Sequence, residues 1–304
     1  MTYPLHREPY YVQTGSAWEN PYGIPHDELE RMEQELPAEV VAQTIYGMFV
    51  EMSGVVFSAE IANELFDHDL PKVMGDHYID MEAAQQVAVL KAAKRLPEFR
   101  YAHGIDLARK KDYTVITTLD TATTPARCVY WRRINRVPWA RIYAEIGRAV
   151  WLFPGEHLVD STGSGGDVVM DELLSRLYCA KHHVAFEANQ SCPQYQTAGD
   201  HACKKAPGWM RLNPEGFAFG PASKVQLINH LQQAMSHGYD PNNIGKRFGA
   251  IRMPPINQLM EEIQEYQWED KKLDTDCVMS LALAAWKGVG GFVGDPVLGS
   301  AFGN

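Results

Sequence analysis

The sequence predicts an α/β domain built around a mixed β-sheet. Segments 102–108, 113–119 and 126–134 are rich in β-branched residues or alternate in polarity, and short turns join them, which is typical of an antiparallel meander. A strand, a glycine-rich loop and a helix follow between residues 156 and 180, an order typical of a parallel βαβ unit. Together these patterns predict three antiparallel strands followed by parallel β–α units.

Helices are predicted ahead of the strands. Residues 1–24 are rich in aromatic residues, proline and glycine without any period, and they predict an extended arm. Beyond them, apolar residues at helical spacing and acids in a first turn predict helices. The predicted elements of this part are helices 25–36, 37–52 and 81–96 and a short strand 53–57. Residues 1–98 are therefore expected to form an N-terminal arm and helical linker region.

The later elements complete a domain over residues 99–287. The three strands are followed by helix 138–150, strand 156–160, helix 167–180, strand 184–187, an irregular stretch 188–220, and helices 222–236, 256–267 and 274–287. Three antiparallel strands, a helix and then a parallel β–α unit are the order of the ribonuclease H-like fold, in which the first and fourth strands lie side by side. Residues 288–304 contain six glycines and are expected to form a flexible tail.

Composition argues against a membrane protein and a secreted protein. The 304-residue chain has no apolar run of 18 residues, so no membrane span is expected. Its first nine residues lack the basic and apolar regions of a secretion signal. The five cysteines form no even disulfide framework, which fits a reducing compartment. A cytosolic protein is expected.

The net charge of −10 is unevenly distributed. Residues 1–98 hold 6 Lys/Arg and 17 Asp/Glu, a net charge of −11, whereas residues 99–304 hold 22 and 21, a net charge of +1. Acids that bind metal would be counted in the second figure, so the C-terminal part would present a more positive face once metal is bound. Overall acidity therefore does not exclude a nucleic-acid substrate.

Three aspartates lie at the ends of predicted elements. Asp106 lies in an apolar strand, Asp160 ends a later strand just before the glycine loop 161–166, and Asp276 opens an apolar helix. An acid in an apolar setting costs free energy unless it meets a cation or a partner. Two strand ends and a helix start can bring such acids to one cleft. The pattern therefore predicts a divalent-metal site.

Two of these aspartates have an alternative interpretation that the sequence leaves open. An ion pair with a cation of the neighbouring segment 109–111 explains Asp106 equally well. At the third position Asp274 competes with Asp276, because either acid could stabilise the start of the helix. Asp276 is preferred as the metal ligand because the segment behind it is so apolar, and Asp274 remains the alternative ligand.

Asp160 has two competing interpretations, and both fit less well than a metal ligand. The loop after it lacks the G-x-G-x-x-G spacing of a dinucleotide site. Capping of the next helix could be supplied equally well by Ser164 or Asp167. An acid at the carboxyl end of a strand, over the start of a helix, is where ligands bind in α/β sheets. The metal interpretation is therefore preferred.

Cysteines and histidines are concentrated in the second half of the chain, at Cys179, His182, Cys192, His201 and Cys203. The set includes a Cys-x-x-His pair, which raises the possibility of zinc. The spacing of the others is irregular, and the first pair falls at the end of a predicted helix. Scattered residues are therefore the preferred explanation.

Basic residues flank the irregular stretch and are candidates for phosphate contacts. They are Lys204, Lys205, Lys246 and Arg247, and Lys224 is a further candidate. The G-x-x-x-x-G-K-[ST] motif of a P-loop ATPase and the G-x-S-x-G motif of an α/β-hydrolase are both missing from the sequence. The sequence therefore contains no ATPase motif.

Several motifs together resemble the nuclease domain of tailed-bacteriophage terminase large subunits. They are GIDLA at 104–108, DYTV at 112–115, VDSTGSG at 159–165, SKVQLI at 223–228 and DCVMSLALA at 276–284. An upstream run between residues 20 and 57 resembles the segment that links the motor of that family to its nuclease. The similarity spans about residues 18 to 287. The family usually has an Asp-Asp pair at its last motif, where this sequence has Thr275-Asp276.

The resemblance implies a metal-dependent endonuclease that cuts concatemeric double-stranded phage DNA during genome packaging. It implies two Mg²⁺ or Mn²⁺ ions, bridged by Asp106 and completed by Asp160 and Asp276. It also implies partners: an ATPase motor on a separate chain, a small terminase subunit and the portal. The expected location is the cytoplasm of the infected bacterial host.

Two other functions are considered. An ATPase of the actin and sugar-kinase type shares the core fold, but it needs a small Asp-x-Gly-[Thr/Ser] hairpin where this chain has bulky and charged residues after Asp106. A non-catalytic packaging adaptor would use the acidic N-terminal region to dock a motor or portal. The presence of acids at all three positions argues against that adaptor.

Overall fold

The computed structural model describes residues 15–20, 22–36, 38–48, 56–97, 100–108, 112–162, 166–194, 209–236, 249–268 and 275–289. Contacts divide the chain into two compact units, Met1–Ser53 with Gly291–Asn304, and Gly54–Gly290. Within the described residues, no helix is both long and apolar enough to cross a membrane. The glycine-rich tail predicted from residue 288 lies outside the described residues after residue 289.

The first unit contains a short 3-10 helix and two α-helices, which are Ala17–Glu19, α1 (His26–Glu35) and α2 (Ala38–Thr44). Leu29, Val41 and Ile45 form a buried apolar cluster in this unit. The predicted helix 37–52 is too long, because α2 ends at Thr44. Gly47 follows with a positive φ of 60°, a backbone conformation that ends helices and favours glycine.

The second unit contains the remaining elements. In chain order they are α3 (Ala59–Leu65), β1 (His77–Ile79), α4 (Met81–Ala92), β2 (Tyr101–Asp106), β3 (Thr114–Asp120), β4 (Ala126–Ile134), α5 (Trp139–Leu152), β5 (Gly155–Asp160), α6 (Gly166–Leu174), β6 (Arg176–Cys179), β7 (Val184–Glu187), β8 (Trp209–Arg211), β9 (Glu215–Phe217), α7 (Pro221–Ser236), β10 (Ile251–Arg252), α8 (Asn257–Glu265) and α9 (Asp276–Gly288).

The main sheet is mixed, with its strands in the order β1-β4-β3-β2-β5-β9 and with β10 paired to β4. Strands β2, β3 and β4 form an antiparallel meander. Strand β5 pairs parallel with β2, and β9 pairs parallel with β5. The first and fourth predicted strands therefore lie side by side, and the predicted ribonuclease H-like mixed sheet is confirmed.

Helices cover the two faces of this sheet because successive side chains of a strand alternate between them. Ile105 of β2 packs in the apolar core with Ile142 and Ile146 of α5. Its neighbour Gly104 faces the other way, where α9 packs on β2 and β3. Asp106 lies two residues after Gly104 in the same strand, so it is on the same face of the sheet, which α9 covers.

The described residues 56–97, predicted as part of the linker, contribute elements that pack on the sheet of the second unit. Strand β1 pairs antiparallel with β4, with Ile79 opposite Tyr130. Helix α4 begins at a cap in which Asp80 accepts from Ala83 N at 3.0 Å. Val87 of α4 is buried in the main apolar core. The division of the chain at residue 98 stays a prediction.

A second, three-stranded sheet in the order β7-β6-β8 corrects the prediction for residues 167–187. The helix predicted to run to residue 180 ends at Leu174, and residues 176–179 form β6 instead. Tyr178 and Cys179 are buried in this antiparallel sheet, so cross-strand packing outweighs the helical pattern. Strand β7 consequently does not return to the main sheet, and β9, from a stretch predicted as irregular, pairs with β5.

Candidate metal centre

Asp106 and Asp160 end two neighbouring parallel strands. The register of β2 and β5 pairs Ile105 with Val159, and each strand ends at the next residue. Adjacent strands are about 4.8 Å apart, so the two aspartates leave the sheet side by side. Asp106 is buried, whereas Asp160 is partly exposed at the sheet edge. The sheet register therefore brings two of the three predicted acids together.

Helix α9 brings the third acid to the same edge. Its Ser280 donates a hydrogen bond to the Gly104 carbonyl oxygen over 2.9 Å, which fixes the helix on β2. Asp276 lies one helical turn before Ser280. Its carboxylate accepts a hydrogen bond of 2.7 Å from the Tyr113 backbone N–H, at the entry to β3. Asp276 is thus held at the start of α9, above the end of β2.

The surroundings of Asp106 disfavour a negative charge in the absence of a cation. Burial raises the pKa of Asp106 well above its usual range. Repulsion from Asp276 raises the pKa of Asp106 further, and Asp160 and Glu262 act in the same direction. The Leu107 N–H donates to Asp106 and offsets only a part of this effect. The site therefore concentrates acid groups that a divalent ion would neutralise.

Burial also disfavours the negative charge of Asp160, and its own loop partly offsets this effect. Burial raises the pKa of Asp160, while hydrogen bonds from Thr162 lower it. The Thr162 N–H donates to Asp160 Oδ1 over 2.8 Å. Thr162 Oγ1 in turn accepts from the Phe219 N–H over 2.9 Å, which ties this loop to the segment before α7. Asp160 is therefore oriented by its own loop.

Glu262 is a fourth acid at this site that the sequence did not single out. It is buried on α8, and its Oε2 accepts from the Cys277 and Val278 N–H groups at 2.7 and 3.2 Å, so it caps the start of α9. Its Oε1 has no hydrogen-bond partner among the described residues. Burial raises the pKa of Glu262, and hydrogen bonds from Cys277 and Val278 lower it. The amphipathic pattern of α8 gave no signal for this role.

Arg133 is a cation near the site, and the sequence did not single it out either. Val115 of β3 pairs with Asp106 of β2 on one side and with Arg133 of β4 on the other side. The three residues form a row across the sheet, and side chains in such a row lie on the same face. The Arg133 guanidinium lies 3.4 Å from the centre of the Tyr113 ring. Arg133 therefore places positive charge on the acidic face.

Lys224 lies in the first turn of α7 and is partly exposed. Its ammonium is 5.9 Å from the centre of the Tyr266 ring. Phe219, which contacts Thr162 of the Asp160 loop, lies five residues before Lys224 in the chain. The other predicted site residues, Asp274, Lys204, Lys205, Lys246 and Arg247, lie outside the described residues.

The donor set fits a hard divalent cation. Asp106, Asp160 and Asp276 offer only carboxylate oxygens, which Mg²⁺ and Mn²⁺ prefer. The three aspartates do not form a set in which every ligand atom lies within 4.8 Å of the others. Their oxygens are therefore spread more widely than the ligands of one shared ion. By donor chemistry, the acids at the end of β2 suit a hard divalent cation.

Comparisons with known proteins give similar structures but no matching sequence. Neither a protein-family model nor a curated protein matches the chain. The large terminase nuclease of thermophilic phage G20c with bound magnesium is 18% identical, with a TM-score of 0.47, and the match covers 76% of this chain and 96% of that one. The same nuclease with bound zinc is 18% identical, with a TM-score of 0.45, and the match covers 74% of this chain and 94% of that one. The large terminase nuclease domain of Thermus phage P74-26 is 16% identical, with a TM-score of 0.42, and the match covers 74% of this chain and 91% of that one. At these values the chain is similar to those domains, and the similarity does not by itself assign an activity.

Proposed function

We propose that the chain is a metal-dependent endonuclease that cuts double-stranded DNA, and that its substrate is concatemeric phage DNA during genome packaging. One observation carries the proposal. Asp106 is buried at the end of the central strand, beside Asp160 and Asp276, where its negative charge is disfavoured without a cation. Structural carboxylates are normally paired with a base, so this arrangement favours a metal site.

Three aspartates would hold the metal. Asp106 would bridge two Mg²⁺ or Mn²⁺ ions, and Asp160 and Asp276 would each complete one of them. Metal held by these residues would lower the pKa of an attacking water and stabilise the leaving oxygen of a phosphodiester. The order of the motifs in the sequence supports this assignment, since it resembles that of terminase large subunits.

The chain's own residues position these ligands. Glu262 and the Tyr113 N–H hold the start of α9, which sets the direction of Asp276. Arg133 supplies positive charge on the acidic face, and Lys224 is a second cation, in the first turn of α7. Phosphate oxygens of a DNA backbone are the ligands that such cations recognise. Arg133 is therefore proposed, with Lys224, as a phosphate contact.

Cleavage of supercoiled plasmid by the purified chain tests the proposal. Wild type is expected to nick and linearise plasmid with Mn²⁺ or Mg²⁺ and to be inactive in EDTA. Asp106→Ala is expected to lose at least about 100-fold of this activity, because the bridging ligand is gone. Asp69→Ala, which alters an exposed acid of the same unit, is the matched control and is expected to keep full activity. Full Mn²⁺-dependent cleavage by Asp106→Ala would contradict the proposal.

The packaging context has a separate test. We propose that an ATPase motor on another chain, a small terminase subunit and the portal are the partners. Co-expression with the product of a neighbouring P-loop gene should recover a complex that retains the nuclease activity. A wild-type chain that binds such a motor but never cleaves DNA with either metal would favour the non-catalytic adaptor instead.

A further inference from the structure

We infer that Cys179, His182 and Cys192 bind a zinc ion in the small sheet, at a site separate from the carboxylate centre. Their ligand atoms all lie within 4.8 Å of one another. This inference does not depend on the proposed nuclease function. It concerns a different part of the fold and a different class of metal ligand.

The distances match those of a tetrahedral zinc site. His182 Nδ1 lies 3.6 Å from Cys179 Sγ and 3.4 Å from Cys192 Sγ. Zinc is bound by cysteine sulfur at about 2.3 Å and by histidine nitrogen at about 2.0–2.1 Å, so sulfur and nitrogen on one tetrahedral ion are about 3.6 Å apart. The three side chains therefore lie close to the separation that a shared ion requires.

A β-hairpin brings these residues together although the sequence separates them. Cys179 is the last residue of β6, and its carbonyl accepts from the His183 N–H over 2.8 Å, which closes the turn before β7. His183 has a positive φ of 54°, and this bend places the preceding His182 beside Cys179. Cys192 follows β7 and returns to the same end of the hairpin.

The surroundings suit a buried metal–thiolate site. Cys179 and Cys192 are at most 1% exposed, and they form an apolar cluster with Phe186. Trp209 packs on Phe186 with ring centres 5.0 Å apart and so encloses the cluster. His182 is partly exposed, which gives the ion a route of entry. An apolar shell lowers the local dielectric and controls the access of solvent to such a site.

The ligand chemistry selects zinc over the ions proposed for the aspartates. Thiolate and imidazole are borderline-soft ligands that suit Zn²⁺, whereas Mg²⁺ and Mn²⁺ prefer carboxylate oxygen. Bound zinc would tie the β6–β7 hairpin to the chain that follows it. Among the described residues the small sheet has three short strands, and an ion that links its turn to Cys192 would stabilise it where the apolar core is small.

Metal analysis of the purified full chain, with a pair of neighbouring histidine variants, tests the inference. Wild type prepared without chelator is expected to contain about one zinc per chain. His182→Asn is expected to lose it. His183→Asn is the matched control, because His183 bonds the Tyr178 hydroxyl at 2.8 Å and is not one of the three ligands. Zinc retained by His182→Asn, or lost equally by both variants, would overturn the inference.

Cobalt spectroscopy of the wild type avoids any dependence on a folded variant. Zinc-stripped protein titrated with Co²⁺ is expected to show a thiolate-to-cobalt charge-transfer band and the visible bands of a tetrahedral ion, and added Zn²⁺ should abolish both. Asp106→Asn is expected to give the same spectrum, because the carboxylate centre offers no sulfur. A wild-type protein that shows no thiolate–cobalt band would mean that the three residues form a hydrogen-bonded cluster only.

Discussion

The Ser280 hydroxyl of α9 donates a hydrogen bond to the carbonyl oxygen of Gly104, a residue 176 positions earlier in the chain, over 2.9 Å. The contact is this close because Gly104 has no side chain. A Cβ at Gly104 would overlap the Ser280 carbonyl oxygen and the Ala284 backbone nitrogen. Asp106 lies two residues after Gly104 and Asp276 lies four residues before Ser280. One helix-on-strand contact therefore sets the relative position of two proposed metal ligands.

Ser280→Ala tests that coupling. The hydroxyl also lies 2.9 Å from Thr117 Oγ1, so its loss leaves buried polar atoms without a partner and should cost about 1–2 kcal/mol of the free energy of unfolding. Because α9 carries Asp276, we also expect metal affinity to fall about tenfold. Urea denaturation and Mn²⁺ titration measure the two effects. Ser175→Ala, at a site away from the acids, should leave Mn²⁺ affinity unchanged. Unchanged stability and affinity in Ser280→Ala would show that this contact does not position the site.

Asp106→Asn should lose nuclease activity and raise the free energy of unfolding of the metal-free protein. Burial and neighbouring acids hold the pKa of Asp106 above its unfolded value, so the ionised group opposes folding at every pH above that value. The neutral amide removes this cost, and we expect the metal-free protein at pH 7 to gain about 1–2 kcal/mol. Thermal denaturation in EDTA measures the gain. Added Mn²⁺ should then stabilise wild type more than Asp106→Asn. An Asp106→Asn protein that is less stable than wild type in EDTA would contradict this account of the site.

Asp276→Asn and Asp274→Asn decide between the two candidates for the third ligand. Asp276 is held at the start of α9 by the Tyr113 N–H, and an amide oxygen there would still accept this hydrogen bond. We therefore expect Asp276→Asn to fold and to lose at least about 100-fold of metal-dependent cleavage. Asp274→Asn should lose less than about tenfold, as expected of a supporting residue. Plasmid cleavage rates over a range of Mn²⁺ concentrations measure both. The reverse ranking would make Asp274 the ligand.

Glu262→Gln tests whether the charge of the buried acid matters in addition to its hydrogen bonds. The amide oxygen of glutamine can still accept from Cys277 and Val278, so the cap of α9 is preserved. The negative charge near Asp106 is lost, and we expect Mn²⁺ affinity to fall about tenfold. Calorimetric titration measures it. Glu265→Gln changes an exposed acid on the same helix and should leave the affinity unchanged. Equal affinities in all three proteins would limit Glu262 to a capping role.

The sequence indicated the three aspartates because each occupies a position with a local signal. Asp106 and Asp160 interrupt or end apolar strands, and Asp276 precedes an apolar helix. Glu262 has no such signal, since an acid on an amphipathic helix is normally a surface residue. Its role depends on α8 packing against α9, which is a tertiary contact. Local patterns thus predicted the acids at element ends and missed the one placed by packing.

The small sheet could not be predicted for a related reason. Residues 176–179 continue the apolar pattern of α6, and that pattern predicts a longer helix. Their burial depends on pairing with β7 and with β8, which is 30 residues further on. The approach of Cys179, His182 and Cys192 follows from this pairing. Strand β9 has only three residues, too few to show a period, and its parallel pairing with β5 is again non-local.

His103 offers a test of the buried core by pH. The ring is fully buried on β2, where its Nε2 donates to the Phe153 carbonyl at 2.8 Å and its Nδ1 accepts from Thr118 Oγ1 at 2.8 Å. A carbonyl can only accept, so Nε2 carries a proton, and in the neutral ring Nδ1 is the acceptor for the Thr118 hydroxyl. Burial, with a smaller contribution from His157, lowers the pKa of His103 to about 3. The folded protein therefore resists protonation of this residue.

Acidification should consequently destabilise the fold through His103. Between the folded pKa of about 3 and the unfolded value of 6.5, the unfolded chain binds a proton that the folded chain does not, so stability falls as the pH falls. From pH 7 to pH 5 the loss should be about 2 kcal/mol. The acids with raised pKa values act in the opposite direction, so the comparison must be with His103→Gln, which carries the same acids. The difference in unfolding free energy between wild type and His103→Gln should shrink by about 2 kcal/mol over this range. A difference that does not change with pH would mean that His103 takes up a proton as readily in the folded protein as in the unfolded chain.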